Sequence, residues 1–399
     1  MKIKELAVNG LFSDGDWVES KDQDPEGDIR LIQLADIGDG YFVNKSNRFM
    51  NKKTAEKLKC TFLNKDDVLI ARMPDPIGRA CLFPFNESGK YVTVVDVGIL
   101  RITDKYDSNY VMYGINSPLI RRQIEGQVTG TTRLRITKKK LGELEIPLPP
   151  LDQQKKIAAI LDAADAYRQK TKALIEKYDE LTQSLFLDMF GDPVTNPKRW
   201  EVNFLKQITT KVGSGATPRG GKQAYKKEGI SLIRSMNVYD NRFKYKNLAF
   251  IDEDQAAKLK NVIVEKGDVL FNITGASICR SSVVPDDVLP ARVNQHVSIL
   301  RPIKSIITSK FLSRFLISEN VKTKLLGVGS GGGAVMEAIT KEQLQNIEVI
   351  VPTIELQNQF AKRAQAIEAQ KAQAQASFAQ AEDLFNSLLQ RAFKGKLTN

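Results

Sequence analysis

Two stretches of this sequence each read as one continuous helix of about forty residues, and the fold must provide both with a partner surface. The first begins within LEIPLPPLDQQKKIAAILDAAD (144–165), where a proline-broken apolar run changes into a charged, alanine-rich helical pattern. Neither glycine nor proline then occurs until Gly191. The second begins within IEVIVPTIELQNQFAKRAQ (347–365) and repeats this arrangement. Because an amphipathic helix is not stable in isolation on its propensity alone, both helices need burial against another element.

Three segments of the first half of the sequence recur in the same order in the second half. At an offset of 201 residues, IRLIQLADIGDG (29–40) aligns with ISLIRSMNVYDN (230–241). At the same offset LKCTFLNKDDVLIARMPDPIGRACLFP (58–84) aligns with LKNVIVEKGDVLFNITGASICRSSVVP (259–285). Near offset 203, ITKKKLGELEIPLPPLDQQ aligns with ITKEQLQNIEVIVPTIELQ, at the two helix starts. Three blocks in one order at a nearly constant offset predict an internal repeat, each copy being a globular part followed by a long helix.

The globular parts read as mixed α/β (α+β). DVLIAR and DVLFNIT are short β-rich runs after turn signals, and YVTVVDVGILRI and VNQHVSILRP are typical of further strands. SNYVMYGINSPLIRRQIEGQ and SKFLSRFLISENVKTKLLG have apolar residues at helical spacing. We therefore predict two similar globular domains, related by a pseudo-two-fold internal repeat and joined by two long antiparallel coiled-coil helices. The predicted boundaries are 1–149 and 191–352 for the domains, and 150–190 and 353–399 for the helices.

Apolar residues repeat along both predicted helices at the three- and four-residue steps of a coiled-coil seam. The first seam is interrupted only by Thr171 and the second only by Lys371. Their large apolar members are Ile157, Ile160, Tyr167, Leu174, Tyr178, Leu181 and Leu185, and then Phe360, Ile367, Phe378, Phe385 and Leu388. Burial of some eight such side chains, at about 1.5–3 kcal/mol each, is sufficient to drive pairing of the two helices. The alternative is that each helix packs only on its own domain.

Composition and charge narrow the class of function. With 59 basic and 47 acidic residues the net charge is +12, which favours a polyanionic partner such as DNA or RNA. The single histidine, His296, disfavours zinc hydrolases and catalytic triads. Cys60, Cys81 and Cys279 are too few and too widely spaced to indicate a disulfide framework or a zinc site. No apolar run has the length of a membrane span and the first residues lack a signal-peptide core, so we expect a cytoplasmic protein with no membrane partner.

The doubled layout resembles the specificity (S) subunit of type I restriction-modification systems over essentially the whole chain. The most specific similarities are IPLPPLDQQKKIAAILD, MFGDPVTNPKRW (189–200), GDVLFNITGASICRSSVV (267–284) and LFNSLLQRAFKGKL (384–397). The resemblance implies two target recognition domains, each reading one half of a split site in double-stranded DNA. It also implies that the helices set the half-site spacing and hold methyltransferase (M) subunits, two by expectation, and through them restriction (R) subunits. A member of this family is expected to catalyse nothing and to need no cofactor or metal.

Polar and basic residues in aligned loops are the candidate DNA contacts, because arginine and asparagine can pair bidentately with guanine and adenine. Phosphate contacts by lysine and arginine would add salt-dependent affinity. In the first domain we select Arg72, Arg79, Thr131, Thr132 and Arg133. In the second we select Thr217, Arg219, Lys222, Asn272, Thr274, Ser277, Arg280 and Arg292. Arg79 and Arg280 occupy aligned positions, so they suit phosphate contact or a structural role better than base reading.

Two other functions compete with DNA recognition. The chain could be a coiled-coil adaptor between proteins whose DNA affinity is incidental. It could also be a nucleotide-using enzyme built on GVGSGG (327–332), although that glycine motif follows a predicted helix and not the strand that dinucleotide binding requires. The acidic pairs Asp66-Asp67 and Asp286-Asp287 occur at predicted turns and are read as solvated residues and not as catalytic acids.

Overall fold

A computed structural model of the chain describes residues 1–74, 76–128, 130, 134–218, 220–329 and 338–397. The chain forms two compact units. Unit 1 comprises Met1–Ala173 and Gln375–Asn399, and unit 2 comprises Leu174–Ala374. Each unit therefore contains one globular part together with portions of both long helices.

Unit 1 is built on two sheets. The first has the strand order β1-β7-β4-β5 with antiparallel neighbours, and the second has the order β3-β2-β6, in which β2 and β6 are parallel. The strands are β1 (Ala7–Asp14), β2 (Ile29–Ile32), β3 (Arg48–Met50), β4 (Val68–Ala71), β5 (Ala80–Leu82), β6 (Tyr91–Thr93) and β7 (Val97–Ile102). The helices are α1 (Lys52–Lys57), α2 (Ser108–Asn116), α3 (Pro118–Glu125), α4 (Lys138–Gly142) and the long α5 (Leu151–Phe190), which continues into unit 2.

Unit 2 repeats this plan. Its strands are β8 (Glu201–Phe204), β9 (Thr209–Ser214), β10 (Ile230–Ile233), β11 (Val238–Tyr239), β12 (Arg242–Phe243), β13 (Ala249–Ile251), β14 (Ile263–Val264), β15 (Val269–Asn272), β16 (Ser281–Val283), β17 (Ala291–Val293), β18 (Val297–Pro302) and β19 (Glu348–Val351). Its helices are α6 (Leu205–Ile208), α7 (Glu253–Ala257), α8 (Ser309–Ile317), α9 (Glu319–Gly329), α10 (Lys341–Gln345) and the long α11 (Ile354–Ala392), which continues into unit 1. The sheets have the orders β16-β15-β18-β9 and β13-β10-β17-β14, with the smaller pairs β11-β12 and β19-β8.

The predicted repeat is confirmed strand by strand. The order β5-β4-β7-β1 of unit 1 matches β16-β15-β18-β9 of unit 2, and the parallel pair β2-β6 matches β10-β17. Strands β2 and β10 begin at Ile29 and Ile230, which is the offset of 201 found in the sequence. Helices α2 and α8 begin at Ser108 and Ser309 with the same offset. The two units therefore share one fold, as the sequence alignment predicts.

Both long helices contribute to the core of each unit, and they do so with opposite ends. In unit 1 the start of α5 (Ile157, Leu161), the end of α11 (Phe385) and Phe393 just after it belong to one buried cluster with α2. In unit 2 the end of α5 and the start of α11 belong to a buried cluster with α8. The Phe190 and Phe311 ring centroids are 4.8 Å apart there, and those of Phe186 and Phe360 are 5.6 Å apart. Within each unit the start of one helix thus packs near the end of the other, as antiparallel pairing requires.

Side-chain burial shows that every second residue of the first predicted seam was wrongly placed on the inward face of α5. Ile157 is buried, and Tyr178 and Leu185 are half-buried. By contrast, Ile160, Tyr167, Leu174 and Leu181 are 38%, 54%, 42% and 49% exposed. The inward positions lie one residue later, at Leu161, Arg168, Ile175 and Thr182. The seam therefore steps by four and then three, where the sequence analysis assumed three and then four.

Polar seam residues explain why the correct register is hard to recognise. The Arg168 guanidinium lies 4.4 Å from the centre of the Phe385 ring and pairs with Asp165. Thr171 and Thr182 donate hydrogen bonds of 2.8 and 3.0 Å to the carbonyls of Tyr167 and Tyr178, so their hydroxyls are satisfied within the helix. On α11, Phe360 and Phe385 are buried, and the remaining predicted residues Ile367, Phe378 and Leu388 are half-buried.

A buried glutamine explains why a proline-broken run leads directly into each helix. Gln154 accepts from the backbone N–H of Asp107 at 3.1 Å and donates to the Pro149 carbonyl at 2.8 Å. Gln357 does the same in unit 2, accepting from the Thr308 N–H at 2.8 Å and donating to the Pro352 carbonyl at 2.8 Å. Asp107 and Thr308 are the N-caps of α2 and α8. The amide therefore fixes the first turn of each long helix to the first turn of a core helix.

A second repeated feature corrects the interpretation of Asp67 as solvated. Asp67 is 1% exposed and accepts two hydrogen bonds of 2.7 Å from the Arg101 guanidinium. In unit 2 Asp268 accepts from Arg301 at 2.8 and 2.9 Å. Bidentate pairing satisfies a buried carboxylate that would otherwise strongly destabilise the fold.

Candidate nucleic-acid interface

Three loops of unit 2 meet at one end of the sheet that contains β15 and β18. They are 215–218 after β9, 273–277 after β15, and the turn 294–296 between β17 and β18, and together we call them loop cluster 2. The Gly215 N–H donates to the Asn294 carbonyl at 3.2 Å, and the Ile273 N–H donates to the His296 carbonyl at 3.1 Å. A Cβ at Gly215 would lie 1.7 Å from the Val293 oxygen, so only glycine permits this crossing.

Polar side chains of these three loops lie within hydrogen-bond distance of one another. The Thr217 hydroxyl donates to Gln295 Oε1, and Gln295 Nε2 lies 3.1 Å from His296 Nε2. His296 Nδ1 in turn lies 2.6 Å from the Thr274 hydroxyl. Gln295 is exposed, while the other three residues are half-buried. Side chains from all three loops are therefore joined in one hydrogen-bonded series.

The same crossing occurs in unit 1, where loops 15–17, 72–73 and 94–96 form loop cluster 1. The Gly15 N–H donates to the Val97 carbonyl at 2.9 Å, and a Cβ on Gly15 would lie 2.1 Å from the Val94 oxygen. The Asp16 N–H donates to the Thr93 carbonyl at 2.9 Å. Burial raises the pKa of the Asp16 carboxyl to about 6, although the Thr61 N–H opposes that shift. Trp17, next in the chain, is 70% exposed.

Loop cluster 1 encloses an arginine at the position that an isoleucine occupies in unit 2. The Arg72 N–H donates to the Asp96 carbonyl and the Arg72 carbonyl accepts from Ile136, and Ile273 makes the corresponding bonds with His296 and Ile339. The Arg72 side chain is 1% exposed, and its Nε lies 2.9 Å from Asp14 Oδ1. Its Nη1 and Nη2 donate to the carbonyls of Ile136 at 3.2 Å and Val95 at 2.7 Å. Burial lowers the Arg72 pKa, and the Asp14 carboxylate is the main opposing influence.

A basic surface lies elsewhere in unit 2, around Tyr239. The side-chain charges of Arg242 and Lys244 lie 5.2 Å from the centre of the Tyr239 ring, and that of Arg280 lies 4.4 Å from it. Arg242 and Lys244 are exposed. A hydrogen bond and the charge of Lys244 lower the Tyr239 pKa. Exposed cations held on an aromatic face suit contact with phosphate.

A separate surface runs along α5. Ile160, Tyr167, Leu174 and Leu181 recur every seven residues along α5, and all four side chains are exposed. We call these four residues the apolar stripe. Exposed lysines at 156, 170 and 177 follow the same heptad spacing beside it. An apolar ridge with a charged border is typical of a surface that receives another helix.

The model of the type I restriction modification DNA specificity domain matches this chain twice, over residues 1–178 and 197–376. The chain belongs to this family. A type I restriction enzyme EcoBI specificity subunit from Escherichia coli is 26% identical over 324 residues, covering 74% of this chain and 67% of the relative. The MjaVIII specificity subunit from Methanocaldococcus jannaschii is 23% identical over 356 residues, covering 83% and 80%.

A solved structure shows the same fold. The S subunit of a type I restriction-modification system from M. genitalium superposes with a TM-score of 0.56 at 17% identity, covering 98% of this chain and 95% of that one. No helix in the described ranges has both the length and the apolar character to cross a bilayer.

The structure removes three of the candidate DNA contacts of this family member, because their side chains are enclosed. Arg72 is bound inside loop cluster 1, as described above. Asn272 is 0% exposed and donates to the carbonyls of Ser235 at 2.9 Å and Val238 at 3.4 Å. Arg292 is 9% exposed on β17, donates to the Ala291 carbonyl at 3.0 Å, and has its pKa lowered by burial. All three side chains donate to carbonyls inside the protein, so their burial disfavours contact with a base edge.

Two further arginines have internal roles. The Arg79 guanidinium donates to backbone carbonyls, among them Ile37 at 2.6 Å and Leu34 at 2.9 Å, and so joins loops of unit 1. Arg280 is half-buried over Tyr239 and can still contribute charge to that basic surface. The bonds of Arg79 give it a structural role, and phosphate contact by Arg280 stays a prediction.

The remaining candidates stay predictions. Thr217, Thr274 and Ser277 lie half-buried in loop cluster 2. Thr131, Thr132, Arg133 and Arg219 lie outside the described residues, as does the side chain of Lys222. The sequence analysis did not select Gln295 or the exposed cations beside Tyr239, which the structure adds as candidates. The alternation of aromatic and basic residues in VYDNRFKYK (238–246) was the available signal for the latter.

Replacement of Arg72 by methionine tests its structural role. We expect Arg72→Met to lower the free energy of unfolding by about 2–4 kcal/mol, because the Asp14 carboxylate and the carbonyls of Ile136 and Val95 lose their partner, while Asp14 stays partly hydrated. Arg48→Met is the matched control, since Arg48 is exposed on β3 and should change stability by about 0.5 kcal/mol or less. Urea unfolding followed by circular dichroism measures both. Equal losses in the two variants would contradict the role assigned to Arg72.

Proposed function

We propose that this protein is the DNA-specificity subunit of a type I restriction-modification system. In this proposal each unit contacts one half of a bipartite site in double-stranded DNA through its loop cluster, and in unit 2 the cations beside Tyr239 add phosphate contacts. The observation that carries the proposal is the double match to the DNA specificity domain, one copy for each globular part. We infer that the chain itself is non-catalytic, uses no cofactor or metal, and acts in the cytoplasm.

Charge and loop geometry support this assignment. A net charge of +12 favours association with a polyanion. The exposed cations beside Tyr239 would hold phosphates, and loop side chains would reach base edges in a groove. The loop clusters share a backbone crossing but carry different side chains, so the two half-sites should differ in sequence.

The proposed division of labour follows the boundaries of the sequence repeat. Residues 1–149 and 191–352 would act as the two target recognition domains. Residues 150–190 and 353–399 would act as the helical spacers. This division leaves base reading to the loops and subunit assembly to the helices.

A binding selection tests the proposal. The chain, assembled with its methyltransferase subunits, should enrich from a random duplex pool one sequence with two defined parts and an undefined gap. Affinity for that sequence should fall linearly on logarithmic axes as salt increases, with a slope of about −0.9 for each phosphate contacted. Enrichment of no two-part sequence, together with a shallow salt slope, would favour the protein–protein adaptor instead.

We further propose that the long helices set the gap between the half-sites. Repeating residues 167–173 in α5 and 368–374 in α11 adds one heptad to each helix and preserves the seam. Both helices then lengthen by about 10 Å, so the preferred gap should grow by about three base pairs. The same selection measures the gap, and insertion of a heptad in α5 alone serves as the mismatched control. An unchanged gap in the double insertion would exclude the helices as the spacer.

The apolar stripe on α5 is the proposed docking surface for a methyltransferase subunit, and restriction subunits would join through that subunit. Two methyltransferase subunits are expected in the complex. Four large apolar side chains at heptad spacing suit a partner helix with a complementary apolar face. The lysines beside the stripe favour acidic residues on that helix. Solvent exposure of such a ridge would be unfavourable if no partner covered it.

A double substitution tests this docking surface. Tyr167→Glu with Leu174→Glu should weaken binding of the methyltransferase subunit at least about 100-fold, because two charges enter an apolar contact. The helix should stay folded, since both side chains are exposed. Ala166→Glu with Ala173→Glu adds the same charge one residue earlier, about 100° around the helix, and should bind nearly as the unmodified chain does. Titration calorimetry compares the pairs, and equal affinity in both would exclude the stripe.

A further inference from the structure

Loop cluster 2 contains an exposed side-chain amide, that of Gln295, whose oxygen and nitrogen each have a hydrogen-bond partner. Gln295 lies in the turn between β17 and β18, and its Oε1 accepts from the Thr217 hydroxyl of the preceding loop. Its Nε2 lies 3.1 Å from His296 Nε2. An exposed glutamine normally samples many rotamers, so two side-chain partners from different positions are a significant constraint.

Hydrogen-bond roles follow from the chemistry of the amide. An amide nitrogen only donates, so His296 Nε2 must accept and the histidine proton lies on Nδ1. That proton is directed at the Thr274 hydroxyl, 2.6 Å away. Each group in the series therefore donates to the next, from Thr217 to Gln295, His296 and Thr274. His296 accepts from the amide nitrogen of Gln295, and Thr217 donates to its oxygen.

After these contacts the amide retains one N–H and one oxygen lone pair. Glutamine has two N–H donors and two acceptor sites, and the series uses one of each. The amide therefore keeps one donor and one acceptor for a ligand, and Gln295 is exposed. Adenine presents the complementary pair in the major groove, since N7 accepts and the N6 amino group donates.

We propose that Gln295 reads an adenine in the half-site contacted by unit 2, and that Thr217 and His296 are positioning residues for its amide. The inference rests on the proposed function, because it assigns one base contact within it. Unit 1 has no equivalent amide, since Asp96 corresponds to His296 and the residue before it, at the position of Gln295, is Val95. This amide contact is therefore expected only in the half-site contacted by unit 2.

Gln295→Glu is the decisive variant. A carboxylate can only accept, so it opposes adenine N7 and favours the cytosine amino group. In the assembled complex, selection from a random duplex pool should lose an adenine preference of about 5- to 150-fold at one base pair of one half-site. Cytosine should be preferred there, and the other half-site should be unchanged.

Gln359→Glu is the matched control, because it makes the same chemical change at an exposed position of α11. It should leave preferences at every base pair unaltered. Far-UV circular dichroism and the melting temperature should be the same for both variants and the unmodified chain.

Thr217→Val tests positioning separately from contact. Loss of the hydroxyl frees the amide to rotate, so the adenine preference should weaken at the same base pair with no new base favoured. The melting temperature should be unchanged, and Thr217→Ser should restore the preference. A merely structural threonine would alter stability or overall affinity instead.

The outcomes separate failure of the inference from failure of the proposed function. If the unmodified complex enriches a two-part site and Gln295→Glu enriches the same site with the same base preferences, Gln295 is not a reader although the chain is a specificity subunit. If the unmodified complex enriches no two-part site, both the proposed function and this inference are overturned.

Discussion

Each globular core is completed by the start of one long helix and the end of the other, and the rest of the structure depends on this shared burial. Ile157 and Leu161 enter the core of unit 1 with Phe385 and Phe393 from the far end of the chain. Phe186, Phe190 and Phe360 do the same in unit 2. Large apolar side chains buried in this way stabilise by about 1.5–3 kcal/mol each, so neither unit can form its core fully without both helices. The buried Gln154 and Gln357 fix where each helix begins, because their amides satisfy backbone groups at a core helix and at the preceding proline.

Features that both units share can be distinguished from side chains that differ between the units. Crossings at Gly15 and Gly215 and bidentate pairs at Asp67 and Asp268 recur in both copies, so they belong to the scaffold. The side chains that surround the crossing differ between the two units. Unit 1 encloses Arg72 between Asp14 and backbone carbonyls, whereas unit 2 has Ile273 at that position and carries its polar groups outward on Thr217, Gln295 and His296. One backbone can therefore present different donor and acceptor patterns without a change in fold.

The sequence predicts the scaffold well because repetition and helix length are properties of many residues together. The predicted helix at 150–190 is observed as Leu151–Phe190, and strands β2 and β10 keep the offset of 201. Individual side chains are less predictable, because one polar residue can be satisfied internally or left for a ligand. Arg72, Asn272 and Arg292 were chosen for their hydrogen-bonding capacity, and the fold uses that capacity inside the protein. Gln295 was overlooked because its importance comes from Thr217, 78 residues away in the chain, and from the neighbouring His296.

The misassigned half of the first seam has a physical explanation that also concerns assembly. A helix that pairs with one partner needs a single apolar face, yet α5 carries its large apolar residues at two adjacent heptad positions. One of these faces is turned inward at Ile157 and Leu161, and the other, from Ile160 to Leu181, is exposed. The inward face tolerates Arg168, Thr171 and Thr182 because hydrogen bonds and the Phe385 ring satisfy them. The outer face is the stripe proposed above as a docking surface, and a partner helix that covered it would recover the free energy of burying its four apolar side chains.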